Sequence, residues 1–185
     1  MKNKIIIGVV LSIVSLDIFS SCTSIPQKAR AVEAFDISRY LGVWYEIARS
    51  NNKFEKNMDN VTAKYSLKSN DELVVFNSGY NYEKKEWKSI TGSAKFRGDK
   101  NTAALKVTFF KPFYGGYNVI AIDEDYKYAL VAGNDLDYLW LLSKEKSMPE
   151  NIKQQYLKLA DEIGYDTSKL IWVNQDKINP FVNEK

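Results

Sequence analysis

The chain has 185 residues, 45% of them hydrophobic and 26% charged, with a formal charge of +3; this is the range of a one-domain globular protein, not of a disordered or membrane-spanning one. So weak a charge, with no basic stripe, leaves no electrostatic footprint for nucleic acid. There is no histidine, and Cys22 is the one cysteine, which excludes a histidine-based triad, a histidine metal site and an internal disulfide. No metal and no cofactor are expected.

In chain order, Lys2 and Lys4 precede an apolar run from Ile5 to Leu16. That run is shorter than the ~20 residues of a membrane span and suits a signal peptide. It ends in Phe19-Ser20-Ser21-Cys22-Thr23, which resembles the lipobox of bacterial lipoproteins. The resemblance implies cleavage before Cys22, an S-diacylglyceryl and N-palmitoyl anchor on that residue, and, because Thr23 is not aspartate, sorting to the outer membrane. Residues 1–21 are thus read as a leader, 22–34 as a tether, 35–175 as one folded domain and 176–185 as a tail.

From Trp44 onward turn signals recur about every 8–14 residues, the spacing of an all-β barrel or sandwich. Strands are predicted at 43–50, 60–68, 72–81, 86–97, 103–110, 116–123, 127–133 and 137–143. Several alternate: in the run from Val61 to Lys68 the apolar residues are odd-numbered, and Leu105, Val107 and Phe109 oppose Lys106 and Thr108. One apolar and one wet face is what a closed antiparallel barrel requires. Leu139-Trp140-Leu141-Leu142 is apolar on both faces, so its outer side needs a cover. The segment Pro149 to Ile163 supplies one, with Ile152, Tyr156, Leu159 and Ile163 on one helical face, and Gly164 as a stop. Leu170 to Val173 reads as a short final strand. The predicted architecture is all-β: eight up-and-down antiparallel strands, an external C-terminal helix and a short last strand.

The segment from Asp36 to Arg49, containing Gly42-Val43-Trp44, is similar to the first motif of the lipocalin family. The stretches Phe109 to Ile120, Tyr128 to Gly133 and Asp137 to Ser143 resemble the bacterial outer-membrane lipoprotein lipocalins, a branch near apolipoprotein D. The resemblance covers about residues 33 to 175. It implies that Gly42 and Trp44 are structural and that Trp44 plugs one end of the barrel. In the family an arginine lies over the tryptophan; here the matching residue is Lys144, a cation without the planar guanidinium fork.

Hairpin-linked strands put alternate loops at one end, so the loops at about 51–59, 82–86, 111–115 and 133–137 share the end opposite Trp44. They bring Phe54, Met58, Tyr82, Phe113 and Tyr114 to the mouth, among charges of both signs. Ala63, Tyr65, Val107, Phe109 and Trp140 face inward by alternation. The candidate ligand-binding set is Trp140, Tyr114, Phe109, Val107, Tyr65, Ala63, Phe54 and Tyr82. Glu46 shares the parity of Trp44 and reads as a satisfied structural acid or a minor polar contact to ligand.

The family resemblance implies an anchored lipid-binding protein, with a fatty acid or lysophospholipid in the barrel for envelope maintenance or stress, and a homodimer as in bacterial relatives. Two alternatives stand beside it: an envelope interaction module with a filled barrel and no ligand, and, less favoured, a lipid-modifying enzyme. The cysteine nucleophile of one such enzymatic branch is absent, because Cys22 lies outside the barrel, and the chain is read as a non-enzyme.

Overall fold

The computed structural model describes residues 25–69 and 72–182; Cys22 and the expected leader lie outside the described residues. A four-residue helix α1 (Ile37–Tyr40) precedes eight strands: β1 (Gly42–Arg49), β2 (Met58–Ser69), β3 (Glu72–Asn81), β4 (Glu86–Phe96), β5 (Ala104–Phe110), β6 (Phe113–Ile122), β7 (Tyr128–Ala132) and β8 (Leu139–Ser143). Helix α2 (Glu150–Ile163), a 3-10 turn at Thr167–Lys169 and β9 (Ile171–Trp172) complete it. Each strand pairs antiparallel with the next, and β1 pairs with both β2 and β8, which closes the barrel. Closure removes the free edges that would otherwise template aggregation. The short β9 adds to β1 at Ala48 and Arg49, beyond the part of β1 that β2 covers.

Two apolar clusters follow from the two faces of the strands. The inner one includes Trp44, Tyr65, Val75, Leu105, Val119, Val131 and Leu142. The outer one sets Ala48, Leu130, Leu139 and Leu141 against Tyr156, Ala160 and Ile163 of α2. Leu139 and Leu141 are fully buried beneath the helix, so the two-faced apolarity of β8 is resolved as the alternation predicts. The helix ends at Gly164, which is left-handed at φ 119° and returns its N–H to Ala160 and Asp161.

The structure differs from the predicted elements at the barrel's open end. The expected loop 111–115 contracts to Lys111-Pro112, joined by a cis peptide, with Phe110 directly opposite Phe113. Gly115 reads as a loop residue in sequence, yet it is a strand residue opposite Val107. Met58, Phe113 and Tyr114 accordingly lie in strands, not loops. Of the expected tail 176–185, the described part, residues 176–182, does not hang free, and neither do the residues just before it. Asn179 is buried and donates to Thr62 Oγ1 and Ser78 Oγ, Gln175 donates to the carbonyls of Glu46 and Val61, and Phe181 meets the ring of Phe76 on the outside of β2 and β3.

Candidate ligand-binding site

One end of the barrel is shut. Trp44 is completely buried; its indole donates to the Tyr40 carbonyl at 2.7 Å and lies 4.6 Å from the Tyr40 ring. Lys144 Nζ sits 4.4 Å from the centre of the Trp44 ring and donates to the carbonyls of Tyr40 and Leu41. The ammonium therefore closes the C-terminal end of α1 as well as covering the indole. Burial pushes its pKa down to about 8. Gly42 is at φ 95°, a left-handed conformation that L side chains rarely adopt, and this is why the motif has glycine two residues before the tryptophan.

Above the plug lies a ring of phenols. Tyr65 donates to Tyr117 Oη at 2.7 Å, and the Tyr40 and Tyr117 hydroxyls are 2.6 Å apart. Burial raises the pKa of all three well above the usual phenol range, so at neutral pH they are neutral hydrogen-bonding groups. Leu73, Val75, Ala94, Leu105 and Val107 complete this chamber, whose free space is about 10 Å³ for the centre of a water-sized sphere. That is room for about one water. Around the phenols the barrel is filled by its own side chains.

The open end is polar inside. A bulge between Glu46 and Ala48 inserts one residue into β1, so Ile47 and Ala48 both face the outer cluster and Arg49 turns inward. Arg49 is 2% exposed; Nη1 donates to Glu46 Oε1 at 2.8 Å, and Nη2 donates to the carbonyls of Glu55 and Met58. Glu55 comes from the β1–β2 connection, and its carboxylate accepts from Trp140 Nε1 at 3.1 Å and Asn52 Nδ2 at 2.5 Å. Burial first, and then the charge of Glu55, hold the Glu46 carboxyl well above the usual carboxylate range against the opposing pull of Arg49.

The predicted ligand residues divide into three groups. Ala63, Tyr65, Val107, Phe109 and Trp140 all border or belong to the inner cluster, and Trp140 also stacks on Tyr138 at 6.0 Å. Phe54 and Tyr82 stand on the rim: Phe54 is 72% exposed, and Tyr82 binds the Asn57 side chain and main chain of the opposite loop. Tyr114 turns away. Its ring lies beneath Lys106 Nζ, on the outward-facing side of β5 and β6, so it does not border the interior. Glu46 points inward, as its parity suggests, and is buried with its carboxyl paired to Arg49. Arg49, Asn52, Glu55, Tyr40 and Tyr117 escaped the sequence reading. Period-two counting places Arg49 outside unless the bulge is known, and nothing local in residues 51–57 shows that Glu55 folds inward. Tyr117 was accessible: it pairs with inward-facing Leu105.

The Lipocalin-like domain profile matches residues 35–175. Outer membrane lipoprotein Blc of Citrobacter freundii is 48% identical over 172 residues, covering 92% of this chain and 97% of that one. The protein of the same name from Escherichia coli (strain K12) is 50% identical over 150 residues, 81% of this chain and 85% of its own. Among solved structures, insecticyanin from the tobacco hornworm Manduca sexta superposes with a TM-score of 0.66 at 20% identity, over 82% of this chain and 87% of that one; this likeness concerns the fold alone.

Proposed function

The chain belongs to the lipocalin family, and from that premise we propose that it is an acyl-lipid carrier anchored through Cys22 at the outer membrane, the location its bacterial relatives are named for. Fatty acids and lysophospholipids are the ligands, and envelope maintenance or stress is the setting. The carrying observation is the polarity gradient along one axis. An interior of apolar and phenolic side chains is closed at one end by Trp44 and Lys144 and opens at the other through a hydrogen-bonded rim. Such a site suits a chain with one polar end. Binding, rather than turnover, fits the acids of the mouth: buried Glu46 and half-buried Glu55 are engaged with Arg49, Asn52 and Trp140, and no cysteine or histidine stands beside them among the described residues.

The small free volume supports a second reading, a filled barrel acting as an envelope interaction module. The carrier reading requires Phe109, Val107 and Trp140, which are only partly buried, to shift when a chain enters. A titration distinguishes the two. Protein freed of lipid, given lauric or palmitic acid, changes its indole fluorescence saturably, and Trp140→Phe removes most of that change while the fold persists. Absence of saturable binding at every chain length makes the interaction module the correct reading.

A further inference from the structure

Residues 25–34, read in sequence as part of a tether, pack on the barrel. Pro26 and Ala29 are buried, and Ile25 and Ala29 join the outer cluster that β6, β7, β8 and α2 share. The Ala29 N–H closes a turn onto the Pro26 carbonyl, and Arg30 donates to the carbonyls of Gln27 and Ala29. Val32 then donates to Val119 of β6 and accepts from Ala103, next to β5. The segment is a bracket fastened to the β5–β6 flank of the barrel. Three residue steps separate Ile25 from Cys22, a covalent reach of at most about 11 Å. An acyl anchor on Cys22 therefore holds this flank at the bilayer.

The same hairpin ends in apolar side chains. Phe110 and Phe113 face each other across its tip, 67% and 77% exposed, with Lys111 between them. The strand from Phe113 to Val119, about 20 Å long, joins this tip to the bracket. The bracket itself presents Lys28 and Arg30 to solvent. Large exposed rings grouped at one edge mark a contact with an apolar neighbour, and rings flanked by cations suit the headgroup boundary of an anionic bilayer. Strand β2 stands four strands from β6 in either direction round the barrel, so its outer side faces away. We propose that the protein is mounted on its side. The β5–β6 flank, from bracket to hairpin tip, lies on the anionic phospholipid headgroups of the leaflet that holds the anchor, and the mouth opens along that surface. A lipid then reaches the rim at Phe110 and Phe113 without crossing open water. The proposal rests on the Cys22 anchor given above and adds the orientation that so short a link imposes.

The test uses the acylated protein in vesicles of phosphatidylethanolamine and phosphatidylglycerol. Cys22 is the one cysteine of the chain, so once it is acylated an introduced cysteine is the single free thiol and takes a fluorescent label alone. Lys111→Cys reports on the tip, and Ser66→Cys, exposed on β2 next to inward-facing Tyr65, reports on the far side. Lipid carrying a nitroxide on its headgroup is expected to quench the tip label several-fold more than the β2 label. A long flexible Gly-Ser insert between Ser24 and Ile25 keeps the anchor but frees the flank, and should narrow that difference. Phe110→Ser combined with Phe113→Ser should weaken quenching at the tip. Equal quenching at the two sites in vesicle-bound protein overturns the side mounting and leaves the anchor standing. A difference untouched by the insert overturns the role of the short link, and one untouched by the serine pair overturns the tip contact. Protein that carries no acyl mass and stays off the vesicles defeats the anchor, and the mounting falls with it.

Discussion

Replacing Trp44 by phenylalanine tests whether the closed end is held by the contacts seen there. The substitution keeps an aromatic ring but deletes the indole N–H that reaches the Tyr40 carbonyl at 2.7 Å, a loss of about 1 kcal/mol. The smaller ring leaves a void in a position with zero exposure, adding about 1 kcal/mol. Phenylalanine is also a weaker seat for the Lys144 ammonium, now 4.4 Å from the ring centre, for a further fraction of about 1 kcal/mol. The expected total is about 2–3 kcal/mol, or roughly 5–10 °C in Tm for a domain of this size. Urea unfolding followed by far-UV circular dichroism measures it, and an unchanged m-value shows that the unfolded state is not responsible. A double-mutant cycle with Lys144→Met isolates the cation, with an expected coupling of about 0.5–1 kcal/mol. A loss below about 1 kcal/mol for Trp44→Phe, or strict additivity with Lys144→Met, would refute the plug as described.

Lys144→Arg should raise stability by about 0.5 kcal/mol, because a guanidinium can stack on the indole and reach the Tyr40 and Leu41 carbonyls together; a lower urea midpoint would show that the pocket is shaped for lysine. Gly92→Ala should destabilise by about 1–3 kcal/mol, since a Cβ there falls 2.5 Å from the Thr108 carbonyl and 2.6 Å from the Phe109 ring; a neutral effect would mean that β4 and β5 can separate freely. Glu46 keeps its proton in the folded state to well above the ordinary carboxylate range, whereas the unfolded chain loses it near about 4.3. Its contribution to stability is therefore fully present below that pH and declines as pH rises toward neutrality. Glu46→Gln should flatten this decline between about pH 4 and 7, and parallel wild-type and variant curves would contradict the assignment. Cys22→Ala should abolish labelling by palmitate and release the protein from membranes; a variant that is still labelled and still sediments would end the anchor reading.

The sequence by itself determined the barrel and its helical cover, while the plug at Trp44 was implied by the family resemblance. The alternation of Leu105, Val107 and Phe109 and the one-faced helix ending at Gly164 are local periodicities, and a period of two or 3.6 residues fixes which side is buried whatever the partner strand. It also placed Trp140 inside and Leu139 and Leu141 outside, as found. Only the tertiary structure decided the mouth. The bulge at Glu46/Ala48 arises from how β1 meets β8, and it inverts the facing of Arg49. Glu55 turns inward because Trp140, 85 residues away, offers its indole N–H. Tyr114 lies outside because β5 and β6 pair through Phe110 and Phe113, shortening the expected loop. Each outcome depends on registers between distant segments, and a register leaves no mark in the periodicity of either strand alone.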